Sequence, residues 1–180
     1  VQAVPREEVF VLDTSGSTRA DLRLIQSSAQ FFVASLRPGD RVAIVAYNTE
    51  SRDNQAFAVN EVVSQLTGDR RLLRAAIDNI KTSNGTPYYD SLLQVVENVF
   101  RDPPKEEFRG RRALVALTDG VDSTSTAEFD EAKERLGDAD IISFFIQVDT
   151  REFFEEGLLG NCQLATRFSA AQIRRYYRSI

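Results

Sequence analysis

The chain has 180 residues, with 22 basic and 27 acidic side chains and a net charge of −5, the balance of one soluble globular domain whose core buries about 70% of the unfolded surface and needs no disulfide or structural metal. One cysteine, Cys162, excludes an internal disulfide and a multi-cysteine zinc site, and the lack of histidine removes Ser-His-Asp and Cys-His catalysis and every His-ligated metal. No apolar run approaches the ~18 residues of a membrane span, and the acidic balance argues against nucleic acid as a partner.

In chain order, Glu7 to Leu12 turn apolar and β-rich and predict a short buried strand. Leu22, Ile25, Ala29, Phe32 and Leu36 recur at helical spacing until Pro38-Gly39-Asp40 stops the helix. Arg41 to Tyr47 is a strand with almost no polar interruption, the pattern of a parallel sheet covered on both faces. Gln55 to Val59 is shorter and more polar, and predicts an edge strand. Leu72, Leu73, Ala76, Ile77 and Ile80 mark a helix, and Leu92, Val95, Val96 and Val99 mark the next, over 88–100. Arg101 to Gly110, with Pro103-Pro104 and many charges, is a solvated loop. Ala113 to Leu117 is a strand, Phe129, Ala132 and Leu136 a helix stripe, Ile141 to Val148 a further buried strand, and a last helix runs from about Ala170 to the end. Strands alternating with helices predict an α/β domain, a mostly parallel sheet with right-handed crossovers, spanning 1–180 without a linker. The chain begins at Val1 and contains no methionine, which fits either a mature form after signal-peptide removal or a piece of a longer protein.

In an open parallel sheet, ligands bind at the carboxyl ends of the strands, near the point where strand order reverses. Three loops bring oxygen-bearing side chains to that edge. They are Asp13-Thr14-Ser15-Gly16-Ser17-Thr18 after the first strand, Asn84-Gly85-Thr86-Pro87 before the 88–100 helix, and Thr118-Asp119-Gly120 after the 113–117 strand. Together they offer Asp13, Ser15, Ser17, Thr86 and Asp119, an all-oxygen set that suits a hard cation such as Mg²⁺, Mn²⁺ or Ca²⁺. Alternate side chains of an extended loop point Asp13, Ser15 and Ser17 the same way, and Gly16 lets the backbone turn tightly. Two carboxylates neutralise a divalent charge and hydroxyls donate weakly, so a cation held there stays electrophilic toward an outside carboxylate.

Val11-Leu12-Asp13-Thr14-Ser15-Gly16-Ser17 resembles the D-x-S-x-S motif of von Willebrand factor type A domains. Gly85-Thr86-Pro87-Tyr88-Tyr89-Asp90 resembles that family's Gly-Thr-Pro-Leu-Tyr-Asp segment, and Leu114 to Gly120 its strand ending in Thr-Asp-Gly. The three occur in the family's order, over roughly residues 6–170, and are most similar to those of bacterial extracytoplasmic members. The resemblance implies a doubly wound, Rossmann-like sheet with one antiparallel edge strand and helices on both faces. It also implies a metal-ion-dependent adhesion site, Mg²⁺ first among its cations. Ser15 and Ser17 would ligate directly, Thr86 directly or through water, and Asp13 and Asp119 through water or as anchors, with Asp119 able to move closer. Its usual activity is binding a partner protein whose Asp or Glu completes the metal shell, in an extracellular, periplasmic or cell-surface setting. Asn84 departs from the family's second glycine, and the region after Val148 matches it less clearly.

Plainer roles compete at each motif. Asp13 to Thr18 is rich in helix N-cap residues, Thr86-Pro87 is a common helix start, and Asp119-Gly120 is a common turn. Asp122 lies close enough to Asp119 to compete as the ligand, and Asp90 falls one turn into a helix, where an acid favours the dipole. Arg174-Arg175-Tyr176-Tyr177-Arg178 is a basic, aromatic stretch, but its spacing suits a terminal helix better than a nucleic-acid surface. The expected function is non-enzymatic: a monomer that binds a carboxylate-presenting protein through its cation, with no nucleic acid and no membrane insertion of this segment. A structural domain in a larger assembly, its metal unused for recognition, stands beside it. So does a hydrolase using the same acids. Against the hydrolase, Ser15 interrupts the Asp-Thr-Gly of aspartic proteases, and stands where an aspartyl-phosphate phosphatase needs a second Asp as general acid.

Overall fold

The computed structural model describes residues 4–104 and 110–150. Among these residues five strands form one sheet: β1 (Arg6–Leu12), β2 (Arg41–Arg52), β3 (Gln55–Thr67), β4 (Arg111–Thr118) and β5 (Ile142–Gln147), in the order β3-β2-β1-β4-β5. β1, β2, β4 and β5 are parallel and β3 alone runs antiparallel, against β2. The order 3-2-1-4-5 reverses direction at β1, so the chain leaves β1 toward one side of the sheet and leaves β4 toward the other. This is the doubly wound, Rossmann-like architecture of the von Willebrand factor type A fold anticipated from the motifs.

Alternation along the central strand builds the two faces. Phe10 and Leu12 of β1, with Val42, Ile44 and Ala46 of β2, pack under α1 (Leu22–Ala34) and α2 (Arg70–Asp78), which contribute Ile25, Ala29, Val33, Leu73 and Ile77. Val9 and Val11, with Ala43, Val45, Tyr47, Leu114 and Ala116, pack under α3 (Tyr88–Gln94) and α4 (Phe129–Asp138) through Tyr88, Leu92, Ala132 and Leu136. β1 is thus buried on both sides, which is why its sequence runs apolar up to Asp13. The helix predicted over 88–100 changes character midway: beyond Gln94 it widens into a π-helical turn, Val95–Val99, closed by Phe100 N–H donating to Val95 O at 2.9 Å.

At the amino ends of the strands, Asp40 ties the start of β1 to the end of α1. Its carboxylate accepts from the backbone N–H and guanidinium of Arg6, both at 3.0 Å, and from the backbone N–H of Arg37 at 3.0 Å. Burial alone would raise this carboxyl, but those donors outweigh it and hold it down at about 2.

Two expectations are corrected. The predicted edge strand at 55–59 is at the edge and antiparallel, but it continues to Thr67, and β2 continues to Arg52. The two form a long hairpin closed by Asp53 and Asn54, at φ +50° and +59°, the two-residue turn whose twist matches paired strands. Backbone pairing carries the polar stretch Asn48–Ser51 into solvent, where no apolar pattern marks it. Ile141 to Val148, expected to be buried, forms the other edge among the described residues, with Ile142, Phe144, Phe145 and Ile146 each 41–56% exposed. It pairs only with β4 among the described residues. The terminal helix expected from about Ala170, Cys162 and the Arg174–Arg178 stretch lie outside the described residues. No helix among the described residues is long and apolar enough to cross a membrane.

Candidate metal centre

The carboxyl ends of β1 and β4 lie side by side, and the ladder between them continues one residue further through Asp13 N–H donating to Leu117 O at 2.9 Å. Asp13 therefore leaves the sheet with its backbone fixed. Its Oδ1 accepts from Ser15 N–H at 3.0 Å and its Oδ2 from the Thr118 hydroxyl at 2.7 Å. The Ser15 and Ser17 hydroxyls are 3.1 Å apart, and Ser17 donates to Asp119 Oδ2 at 2.7 Å. Asp119 Oδ1 accepts from Val121 N–H at 3.0 Å, and the positive φ of Gly120, +78°, lets the chain turn there without strain.

Four of the five expected residues, Asp13, Ser15, Ser17 and Asp119, are thus joined in one hydrogen-bonded group. Thr86 reaches the same edge through the backbone. Ser83 N–H donates to Thr14 O at 2.6 Å, and Thr86 exchanges hydrogen bonds with Ser123, N–H to Oγ at 2.9 Å and O from N–H at 3.0 Å. All five are between 0% and 4% exposed.

The competing helix-cap roles fail for these hydroxyls. No side chain caps the 3₁₀ turn Arg19–Asp21 or α1, and Thr18 turns back to Asp13 O at 2.9 Å and Ser15 O at 3.2 Å. Thr14 instead pins the loop to the neighbouring strand, donating to Tyr47 O at 2.8 Å and accepting from Tyr47 N–H at 3.1 Å. The helix after Thr86 begins at Tyr88, and neither Thr86 nor Pro87 caps it by a side chain. The chain bends at Ser15 and Gly16, as expected, but the bend does not depend on the missing side chain of Gly16. That residue lies outside the left-handed region, and an added Cβ would meet nothing within 4 Å. Asp122, the competing ligand, is committed elsewhere, to the backbone N–H groups of Tyr88 and Tyr89.

Electrostatics define what the group can hold. Burial raises both Asp13 and Asp119, and Asp119's charge raises Asp13 further. Ser15 and Thr118 pull Asp13 back, and Ser17, Val121 and Thr150 pull Asp119 back. Among the described residues no lysine or arginine pairs with either acid, and no three His, Cys, Asp or Glu side chains gather here. Two buried negative charges with adjacent hydroxyls and no cationic side chain fit a hard divalent cation in charge and in donor type.

Sequence reasoning missed Thr150, which is 3% exposed and donates to Asp119 Oδ2 at 2.9 Å. It follows β5, so the strand-end rule that found Asp13 and Asp119 covers it as well. Thr118, quoted only as part of a motif, is the residue that fixes Asp13.

Comparison with known proteins bears on the same region. A family model described as the von Willebrand factor type A domain matches residues 9–121. The chain is similar to an uncharacterized protein, YfbK, of Escherichia coli strain K12, at 37% identity over 81 residues, 43% of this chain and 13% of that protein. In solved structures it is similar to the vWF domain of the type V pili tip protein Mfa5 from Porphyromonas gingivalis. The TM-score is 0.54 at 22% identity, covering 72% of this chain and 44% of that one. It is also similar to the pilus adhesin SpaC from Lactobacillus rhamnosus GG, with TM-score 0.51 at 19% identity, covering 68% of this chain and 15% of that one. At these identities the structural likenesses show the fold alone. The chain spans less than half the length of each of these proteins.

Proposed function

The chain belongs to the von Willebrand factor type A family, and from that premise we propose that it is a metal-dependent, adhesion-type protein-binding module without enzymatic activity. A divalent cation, Mg²⁺ before Mn²⁺ or Ca²⁺, would be held by Ser15, Ser17 and Thr86, with Asp13 and Asp119 as charged anchors. When bound, the cation supplies an electrophilic position for an Asp or Glu carboxylate of a partner protein. The chain's own residues do the rest. Asp13 and Asp119 balance the double positive charge, while the backbone N–H groups of Ser15 and Val121 and the Thr118 and Thr150 hydroxyls keep both acids oriented. The observation that carries this is the pair of buried carboxylates joined through Ser15 and Ser17, with no basic side chain among the described residues paired to them.

Two similar structures, those of a pilus tip protein and a pilus adhesin, support an adhesive role and a surface or extracellular placement. The small share of those proteins that this chain covers favours a second reading, a domain serving assembly within a longer protein with its cation unused for recognition. Calorimetric titration of the chelator-stripped chain with Mg²⁺, Mn²⁺ and Ca²⁺, with and without acetate, tests the metal reading, and Asp119→Ala serves as control. One-site binding lost in the variant is expected. Absence of binding in both conditions would overturn it. Saturable binding of acetate only in the presence of the cation would favour recognition over the assembly reading.

A further inference from the structure

If the cation site is as proposed above, Thr86 must stay in register with Asp119, although the two sit on different loops. Two carboxylates not assigned to the site span those loops. Asp122, beyond the end of β4, accepts through Oδ2 from Tyr88 N–H at 2.9 Å and Tyr89 N–H at 3.2 Å, the first residues of α3 and the nearest backbone donors after Thr86-Pro87. Asp90 reaches the opposite way from α3. Its Oδ1 accepts from Thr126 N–H at 3.1 Å and Ala127 N–H at 2.9 Å, and its Oδ2 from Thr126 N–H at 3.0 Å. Ser125 sits between them. Its N–H donates to Asp122 Oδ1 at 3.2 Å, its hydroxyl donates to Asp122 Oδ2, and that hydroxyl accepts from Asp90 N–H at 3.0 Å. Inside this frame Thr86 is held by Ser123, and its carbonyl also accepts from Thr124 N–H at 3.4 Å.

We propose that Asp122 and Asp90 form a reciprocal clasp that positions Thr86 against Asp119 and so sets the cation affinity of the site without touching the cation. Each acid satisfies backbone donors on the other's loop, so neither loop can shift without opening both ends. Carboxylates suit the task because every group they face is a donor and a carboxylate accepts on both oxygens. The amide of Asp122→Asn would turn its NH₂ toward another N–H or toward the crowded Tyr88 end. Asp90→Asn is milder, since its amide oxygen at the Oδ1 position keeps the Thr126 and Ala127 bonds, while its NH₂ at the Oδ2 position faces Thr126 N–H. Asp122 and Asp90 are therefore positioning residues, acting through Thr86.

The test uses the full chain and two readouts. In chelator, amide hydrogen exchange should rise at Thr86, Tyr88 and Tyr89 in Asp122→Ala. It should rise at those same amides in Asp90→Ala, although their own acceptors are intact there. Val9 to Leu12 in β1 report that the fold is retained, and Asp90→Asn, which keeps its Oδ1 bonds, should fall between wild type and Asp90→Ala. If Asp90→Ala frees only Thr126 and Ala127, the clasp is not reciprocal and the proposal falls. In Mg²⁺ or Mn²⁺ titration, Asp122→Ala should weaken binding by about tenfold, the scale seen when an outer-shell partner of a metal ligand is lost. In a Thr86→Ala background the same change should have little further effect. Equal losses in both backgrounds would show that Asp122 does not act through Thr86. A wild-type chain that binds no cation would sink the metal reading, while exchange would still decide whether the clasp holds Thr86.

Discussion

Asp119→Asn should stabilise the cation-free protein while abolishing its response to cations. Burial, and then the charge of Asp119, push Asp13 from 3.8 up to about 7. At about 1.4 kcal/mol per pH unit, keeping Asp13 ionised above that point costs about 4 kcal/mol relative to the unfolded chain. Burial is the larger cause, so removing the neighbouring charge recovers about 1–2 kcal/mol. The hydrogen bonds tolerate the exchange. An amide oxygen at Oδ1 keeps the Val121 N–H, and the NH₂ at Oδ2 faces the Ser17 and Thr150 hydroxyls, which rotate to accept.

For a chain of this length 1 kcal/mol moves the melting temperature by about 2–4 °C, so the variant should melt about 2–8 °C higher in EDTA at pH 8. A cation at a hundred times its Kd adds about 2.7 kcal/mol to a wild type that binds it and nothing to the variant, which reverses the order. Calorimetric melting in EDTA and across an Mg²⁺ series reads both effects. The pH dependence has a definite sign. A carboxyl raised in the fold favours folding below its unfolded value and loses that contribution as pH rises through the folded one. Cation-free wild type should therefore lose stability from about pH 4 to about pH 7, and the variant should lose less. A variant that melts lower than wild type in EDTA would refute the claim that the two charges oppose each other. An order that fails to reverse would refute Asp119 as a cation anchor.

Ser15→Ala should weaken Mg²⁺ binding in calorimetry and change cation-free stability by about 1 kcal/mol, since its hydroxyl meets the rotatable Ser17 hydroxyl and helps to hold Asp13 down, while its N–H bond to Asp13 Oδ1 is kept. Gly85→Ala should destabilise by about 1–3 kcal/mol in urea unfolding, because the new Cβ would lie 2.8 Å from Thr124 Cγ2 and 3.0 Å from Ala58 Cβ; a neutral result would show that the loop before Thr86 has slack. Asp40→Asn should cost about 1–2 kcal/mol at neutral pH, discounted because its Arg6 and Arg37 partners are 37% and 44% exposed. Asp40 is held down at about 2 in the fold, so its contribution is present above about pH 4 and lost as pH falls toward 2. Acid unfolding of the variant should accordingly be flatter across that window.

What was legible in the sequence was whatever apolar pattern or strand-end chemistry could mark. The unbroken runs at Val9–Leu12, Arg41–Tyr47 and Ala113–Leu117 announce central parallel strands because both of their faces are covered. Asp13 and Asp119 stand out as the first acids after such runs. The outer half of the β2–β3 hairpin was invisible because backbone pairing sustains it, and Asp53-Asn54 lacks the glycine that usually flags such a turn. β5 differs in the opposite direction, since its apolar run suits a central strand while among the described residues it pairs only with β4. The clasp residues were seen singly, Asp122 as a rival ligand and Asp90 as a helix-dipole acid. Apart from Ser125 beside Asp122, their partners are backbone donors more than thirty residues away, and no local pattern encodes a contact at that distance.

The choice of hydroxyls over further acids follows from the same topology. Asp13 and Asp119 extend from adjacent buried strands whose ladder continues to Leu117, so the backbone cannot spread them to relieve their repulsion. A third acid in the Ser15 or Ser17 position would add repulsion that no cationic side chain among the described residues offsets, because the partners of the two acids there are hydroxyls and backbone N–H groups. It would also over-neutralise a divalent ion and remove the attraction for an incoming carboxylate. On the proposed metal reading, two acids and three hydroxyls would instead leave the loaded site about neutral. A partner's carboxylate would then bring the single excess negative charge, and the donors aimed at Asp13 and Asp119 by Ser15, Thr118, Val121 and Thr150 would help to offset it. In this donor set, the arrangement that limits the repulsion between the two acids would also keep a loaded site receptive.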